Sequence, residues 1–169
     1  MKCLLLAMTG FGNSVLTGLL KTNCFDKIIV ITRTEKGTFP HYPCEQLSDF
    51  CIRHNIEYKT ELILNRGSTI KKLSQIKFDI IISATFNQII PNQIIKSAKI
   101  SAINIHPSLL PYYKGATPTN WTIIHGEKQT GIPFHELTEV LDGGDIIFQK
   151  KIIIGSLTEG QLRRRVANL

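Results

Sequence analysis

Phe78-Asp79-Ile80-Ile81-Ile82-Ser83-Ala84 is the stretch on which the fold turns. It is largely β-branched and apolar without polar alternation, the composition of an inner parallel strand covered on both faces. It runs into Thr85-Phe86-Asn87-Gln88-Ile89-Ile90-Pro91, where Pro91 suits the first turn of a helix reaching about residue 98. Residues 101–106 then form a further strand. On the amino-terminal side, residues 2–8 read as a buried strand and 13–22 as a helix with Val15, Leu16, Leu19 and Leu20 on one face. A strand at 27–32, a helix at 45–55, a short strand at 57–59 and a helix capped by Ser68 and running to 76 complete that half. Beyond residue 106 come a loop with Pro107, Pro111, Gly115 and Pro118, a helix at 119–125, strands at 131–137 and 145–154, and a last helix at 158–168. This alternation predicts an α/β fold: a wound, mostly parallel, Rossmann-like sheet flanked by helices.

A length of 169 residues with 43% apolar content suits one well-buried domain. Lys2 and the apolar residues 3–8 superficially suggest a signal peptide. The apolar run is too brief, however, and the turn Thr9-Gly10-Phe11-Gly12-Asn13-Ser14 reads as a strand-to-helix junction. No stretch approaches a membrane span, so a cytoplasmic location is expected. The four cysteines, at 3, 24, 44 and 51, form no C-x-x-C pair, and His41 with Cys44 supplies only two ligands, so no metal is expected. The net charge of +7 favours an anionic partner. Lys150, Lys151 and Arg163-Arg164-Arg165 crowd the carboxyl end without interleaved aromatics, which reads first as a solvated basic face and second as attraction for a phosphate-bearing substrate. Residues 33–44, with Gly37, Pro40 and Pro43, suit an exposed loop overhanging a site. The chain stops inside a basic helical pattern with no terminator, which raises the expectation of a carboxyl-terminal truncation.

Chemistry concentrates in two places. Asn104-Ile105-His106-Pro107 puts an amide and an imidazole on one face of a strand, and Pro107 ends the ladder there. Both groups should therefore sit at the carboxyl end of a strand, where open α/β sheets bind ligands. Leu141-Asp142-Gly143-Gly144 offers a carboxylate, although Asp142 alone reads equally as a turn residue. An amide, an imidazole and a carboxylate are what is needed to polarise a carbonyl and manage a proton. The first turn lacks the third glycine of a dinucleotide fingerprint, with Val15 in its place and no acidic residue after Val30-Ile31-Thr32-Arg33. Its glycines instead let backbone approach a substrate phosphate.

The blocks NIHPSLLPYYKGATPTNW, residues 104–121, and LTEVLDGGDIIFQ, residues 137–149, resemble the folate-dependent formyltransferase family. That family includes glycinamide ribonucleotide transformylase, methionyl-tRNA formyltransferase and the nucleotide-sugar N-formyltransferases. The resemblance implies that residues 1–169 are a catalytic domain using 10-formyltetrahydrofolate without metal. Asn104 and His106 would polarise the formyl oxygen, with Asp142, rather than its competitor Asp145, supporting the imidazole and proton movement. A buried Asp beside His106 should favour the charged imidazole, a better donor. By the same resemblance Phe86, Asn87, Gln88 and Ile90 line a pterin pocket, largely through backbone, facing Leu137 and Glu139. Gly10, Asn13, Tyr112 and Trp121 would meet the acceptor.

The family's members differ in the amine they formylate. Ala116-Thr117-Pro118-Thr119-Asn120-Trp121 resembles the sugar-modifying and tRNA-modifying branches, and the tRNA enzymes typically carry a further β-barrel domain. The implied acceptor is a nucleotide-linked amino sugar, such as a dTDP-amino-dideoxy sugar of O-antigen or lipopolysaccharide biosynthesis, used by a homodimer with no membrane or nucleic-acid partner. The alternatives are glycinamide ribonucleotide, methionyl-tRNA, and a non-catalytic folate-binding domain. The last would not require all three polar residues.

Overall fold

The computed structural model describes residues 1–34 and 42–169. Much of the 33–44 loop expected to overhang a site, His41 included, lies outside the described residues. The strands are β1 (Lys2–Ala7), β2 (Lys27–Thr32), β3 (Glu57–Thr60), β4 (Ile80–Ala84), β5 (Ser101–Ile105), β6 (Gln129–Glu136) and β7 (Ile146–Ile153). The helices are α1 (Phe11–Thr22), α2 (Leu47–Arg53), α3 (Gly67–Ile76), α4 (Asn92–Ile95), α5 (Pro118–Ile124) and α6 (Glu159–Ala167).

The strands form one sheet in the order β3-β2-β1-β4-β5-β6-β7. The first five in that order are parallel, and β6 and β7 are antiparallel additions at one edge. The unbroken apolar runs of β1, β2 and β4 lie at its centre because both faces are covered. On one face Leu5, Val30, Ile82, Ile105 and Ile132 pack with Leu16 of α1, Phe50 of α2 and Leu162 of α6. On the other, Leu4, Leu6, Ile31 and Ile81 pack with Leu73 of α3 and Ile94 of α4. Chain order turns around between β1 and β4, and crevices at the carboxyl ends of strands near such a turnaround are the usual ligand sites of open sheets.

Several helix ends depart from the sequence reading, α2 among them, which spans Leu47–Arg53 rather than 45–55. α1 starts two residues early, at Phe11, because the Asn13 side chain accepts the Gly10 N–H (2.8 Å) and closes the first turn. Ser68 is not a cap, since Arg66 holds the extended cap position and Ser68 falls inside the first turn of α3. Pro91 occupies the cap position itself (φ −58°, ψ 139°), and α4 ends at Ile95. Residues 96 and 97 continue as a turn, with Ser97 N–H donating to Ile94 O and Ala98 N–H to Ile95 O.

Candidate functional site

Asn104 is the penultimate residue of β5, in register with Ser83 on β4 and His135 on β6. His106 follows immediately and keeps one ladder bond, its N–H donating to the Pro133 carbonyl at 3.2 Å before Pro107 ends the strand. Asp142 comes from the turn between β6 and β7. Its backbone is left-handed (φ 47°), a conformation Asp tolerates better than most residues. Gly144 allows that turn, because a Cβ there would collide with the Glu136 carbonyl oxygen. The turn is closed by Glu136 N–H donating to Asp145 O at 3.0 Å. Asp145 is thereby a backbone closure, and Asp142 is the carboxylate that reaches Asn104 and His106.

The three side chains meet. Asn104 Nδ2 donates to Asp142 Oδ1 at 3.0 Å, and His106 Nδ1 lies 3.5 Å from Asp142 Oδ2. His106 Nε2 donates to the Tyr113 carbonyl at 2.9 Å, and Gly115 N–H donates to Asp142 Oδ2 at 2.8 Å. His106 is 5% exposed and Asp142 7%, so the cluster is nearly dry. A fourth group, which sequence reasoning missed, is His135, 1% exposed. Its Nδ1–H donates to the Glu136 carbonyl (2.9 Å), which leaves Nε2 to accept from Asn104 Nδ2 at 3.0 Å. Both amide hydrogens of Asn104 are thus engaged, one by Asp142 and one by His135. The available signal was alternation: His135 shares a strand face with the small, buried Gly131 and Pro133, and a polar group beside them calls for a partner.

The electrostatics correct one expectation. Burial holds the His106 imidazole below its ordinary value of 6.5; the Tyr113 carbonyl and Asp142 oppose this without overcoming it, and His135 adds to it. The charged imidazole expected from the nearby carboxylate is therefore not the resting form. Desolvation wins because the 3.5 Å gap to Asp142 is too long for a strong hydrogen bond. Asp142 goes the way of an ionised carboxylate. Burial alone would raise it, but the adjacent His135, the Gly115 N–H and His106 together hold it below its ordinary 3.8. The pair at rest is a neutral imidazole beside a carboxylate.

The residues assigned to the pterin pocket fall on two neighbouring segments. Phe86 and Leu137 both pack against the core on the α3 and α4 side, where Ile90 is buried. The Gln88 side chain is spent on main chain, accepting Leu64 N–H and donating to Leu62 O, each at 2.9 Å. Asn87 is exposed, and Glu139 on the 137–141 turn accepts a hydrogen bond from Asn92 of α4. At the carboxyl end of β1, Asn13 bridges Gly10 N–H and the Glu45 carbonyl (3.1 Å), so the first turn is closed on itself. Trp121 is 49% and Tyr112 70% exposed, which excludes Trp121 as a core anchor. A cavity of about 410 Å³ beside Ile123, Lys128, Ile154 and Leu157 shares no residue with the polar cluster. Among the described residues no group of three or more His, Cys, Asp or Glu could hold a metal, and no helix is long and apolar enough to cross a membrane. Burial pushes the Cys3 thiol up to about 12 and Cys51 to about 11, which removes both as nucleophiles.

Residues 11–169 match the family model described as formyl transferase. The chain belongs to the formyl transferase family. The formyl transferase fold is also seen in solved structures. Phosphoribosylglycinamide formyltransferase from Bacillus halodurans superposes with a TM-score of 0.79 at 19% identity, covering 98% of this chain and 87% of that one. A sugar 3N-formyl transferase solved with dTDP and 5-N-formyl-THF gives 0.74 at 26% identity, over 98% of this chain and 57% of that one. Among curated proteins, the methionyl-tRNA formyltransferase of Lactobacillus gasseri is 32% identical over 88% of this chain and 48% of its own length. That of Clostridioides difficile is also 32% identical, over 86% of this chain and 51% of its own length. The chain spans about half the length of these curated relatives.

Proposed function

We propose that residues 1–169 are a formyltransferase catalytic domain that moves a formyl group from 10-formyltetrahydrofolate to a primary amine, with no enzyme-bound acyl intermediate. The observation that carries this reading is the closed cluster of Asn104, His106 and Asp142 at a strand end, inside a chain of the formyl transferase family. The 85–90 segment, with Asn87 and Ile89 exposed, together with Leu137 and Val140, fits a flat heteroaromatic ring that needs donors and acceptors at fixed spacing. The folate supplies the formyl carbon; the protein manages charge and protons around it.

Attack by a neutral amine builds negative charge on the formyl oxygen and positive charge on nitrogen. Asn104 stabilises the first by exchanging one of its two amide bonds for the oxygen. The second requires a base. Neutral His106 presents its Nδ1 lone pair toward Asp142 Oδ2, so a proton taken up there forms a charge-assisted bond to a carboxylate that is already ionised. A lowered imidazole pKa keeps that lone pair free at neutral pH. His106, beside the formyl oxygen, therefore takes the proton released by the attacking amine and returns it to N10 of the folate as the bond from N10 to the formyl carbon breaks and tetrahydrofolate leaves.

For the acceptor, a nucleotide-linked amino sugar, such as a dTDP-amino-dideoxy sugar, is supported by the exposed Tyr112 and Trp121 beside the site loop, by the +7 charge, and by the likeness to the sugar 3N-formyl transferase. Methionyl-tRNA is the second reading, favoured by the 32% identity to enzymes of that name. The test is to incubate the protein with 10-formyltetrahydrofolate and, separately, dTDP-amino sugars, methionyl-tRNA, glycinamide ribonucleotide or no amine. Tetrahydrofolate should appear with the dTDP-amino sugar alone. Release dependent on methionyl-tRNA would move the assignment to the second reading, and release indifferent to every amine would contradict transfer.

A further inference from the structure

The loop that follows His106 does more than connect β5 to α5. Two of its backbone groups, two residues apart, reach inward with opposite polarity: the Tyr113 carbonyl accepts from His106 Nε2, and the Gly115 N–H donates to Asp142 Oδ2. The loop thus offers an acceptor to the imidazole and a donor to the carboxylate. Its outward side is tied down by Tyr113, whose hydroxyl donates to Glu127 Oε1 at 2.6 Å and accepts from His125 Nδ1 at 3.1 Å. The tether has a firm base, since Glu127 N–H donates to the carbonyl of buried Thr122 at 2.9 Å where α5 ends. Tyr113 is held in left-handed backbone at φ 58°, a conformation bulky residues rarely adopt without outside support.

We propose that Tyr113 is a positioning residue for His106: Glu127 and His125 hold its phenol on the outside so that its carbonyl oxygen meets Nε2 on the inside, fixing the tautomer whose Nδ1 lone pair faces Asp142. An imidazole is directional only when one nitrogen is committed, and the partner of one nitrogen decides the state of the other. Without the tether the carbonyl swings away, Nε2 loses its acceptor, and the Nδ1–H tautomer bonded to Asp142 takes over. That tautomer has no lone pair where the proton must go. The charged and titratable groups facing His106 are Asp142 and His135, and those facing the phenol are Glu127 and His125. This inference rests on the reading of His106 as proton acceptor, so its test includes a measurement that does not need turnover.

The experiment is ¹⁵N imidazole NMR of His106 at pH 8, with steady-state kinetics, on the wild-type chain and on Tyr113→Phe, Glu127→Ala, Glu127→Gln and Tyr113→Gly. Glycine adopts the positive φ freely, so the last variant removes the tether without opposing the local backbone. The expected result is an Nε2–H tautomer in the wild type and a rise of the Nδ1–H form in Tyr113→Phe, Glu127→Ala and Tyr113→Gly. In these variants kcat should drop about ten-fold with the KM for the formyl donor unchanged, as expected for partial loss of a proton acceptor. Glu127→Gln, which still accepts from the phenol, should restore both readouts. A tautomer shift in a protein with no transfer activity would support the tether and fail the transfer reading alone. Wild-type ¹⁵N shifts in both Tyr113→Phe and Glu127→Ala would overturn the proposal whatever happens to kcat.

Discussion

The carboxyl ends of β1 and β5 solve the same problem in opposite ways. Each leaves the sheet with polar groups that need partners. After β1 the partners are close to one another: Asn13 closes on Gly10 and on Glu45, and the Thr9 hydroxyl accepts Leu47 N–H at 3.2 Å. These bonds start helices and join α1 to α2. After β5 the partners are the polar side chains themselves: Asn104, His106, His135 and Asp142 satisfy one another across separations of 31 and 38 residues, with the loop backbone filling the remaining positions. The first arrangement is a junction; the second stores a neutral base beside a carboxylate in a dry place. Polar groups that secure architecture are replaceable one at a time, whereas groups that secure each other are not.

That contrast is open to attack at several points. Apart from His106 itself, the largest effect is expected at His135. His135→Leu leaves an N–H of half-buried Asn104 without its acceptor, at a cost of about 1 kcal/mol, and frees the amide to turn, which should lower kcat on the order of 100-fold. Thermal melts and kinetics on one preparation check both, and unchanged kcat would reduce His135 to packing. At the β1 end, Asn13→Ala should cost about 1 kcal/mol through the lost first-turn bond, while kcat stays within a few-fold. A greater kcat loss in Asn13→Ala than in His135→Leu would invert the comparison.

The smallest effect is in the pH dependence of stability. The folded state holds His106 below its ordinary 6.5, so the unfolded chain takes up that proton first, and stability present at and above 6.5 is lost as pH falls through the folded value. Asp142, held below its ordinary 3.8, contributes stability above that pH which is lost as pH falls through its own lowered value. Both act in one direction. The Tm should fall from pH 7 to pH 5, and His106→Gln should show a shallower fall across that window. Parallel slopes would assign the decline to other groups.

Why one end was easier to read than the other follows from where its information lies. The strands and helices around β1 and β4 were legible because apolar runs such as Ile80-Ile81-Ile82 and the helical spacing of Leu16, Leu19 and Leu20 are local patterns. Errors there were confined to the ends of elements: side chains such as Asn13, or the cap position taken by Pro91, shift helix boundaries, and the strand read from Phe78 begins at Ile80. At β5, Asn104 and His106 were visible as a same-face pair at a strand end. Asp142 needed the family resemblance, since Leu-Asp-Gly-Gly alone is a turn. His135 depended on the β5–β6 register, which no local pattern encodes. The contributions of Tyr113 and Gly115 are backbone atoms and leave almost no trace in residue identity. The protonation state was the part most firmly misread. The sequence placed a carboxylate beside the imidazole but could not weigh a 3.5 Å gap against the loss of water around His106.

The most direct test of formyl transfer through this cluster is amine-dependent conversion of 10-formyltetrahydrofolate to tetrahydrofolate by the wild-type chain and by His106→Ala, with the Kd for the folate measured on each. The account predicts that His106→Ala loses roughly 10²–10⁴-fold in kcat, the span of a general acid–base group, with the folate Kd within about two-fold of wild type. Undiminished turnover in His106→Ala would contradict it.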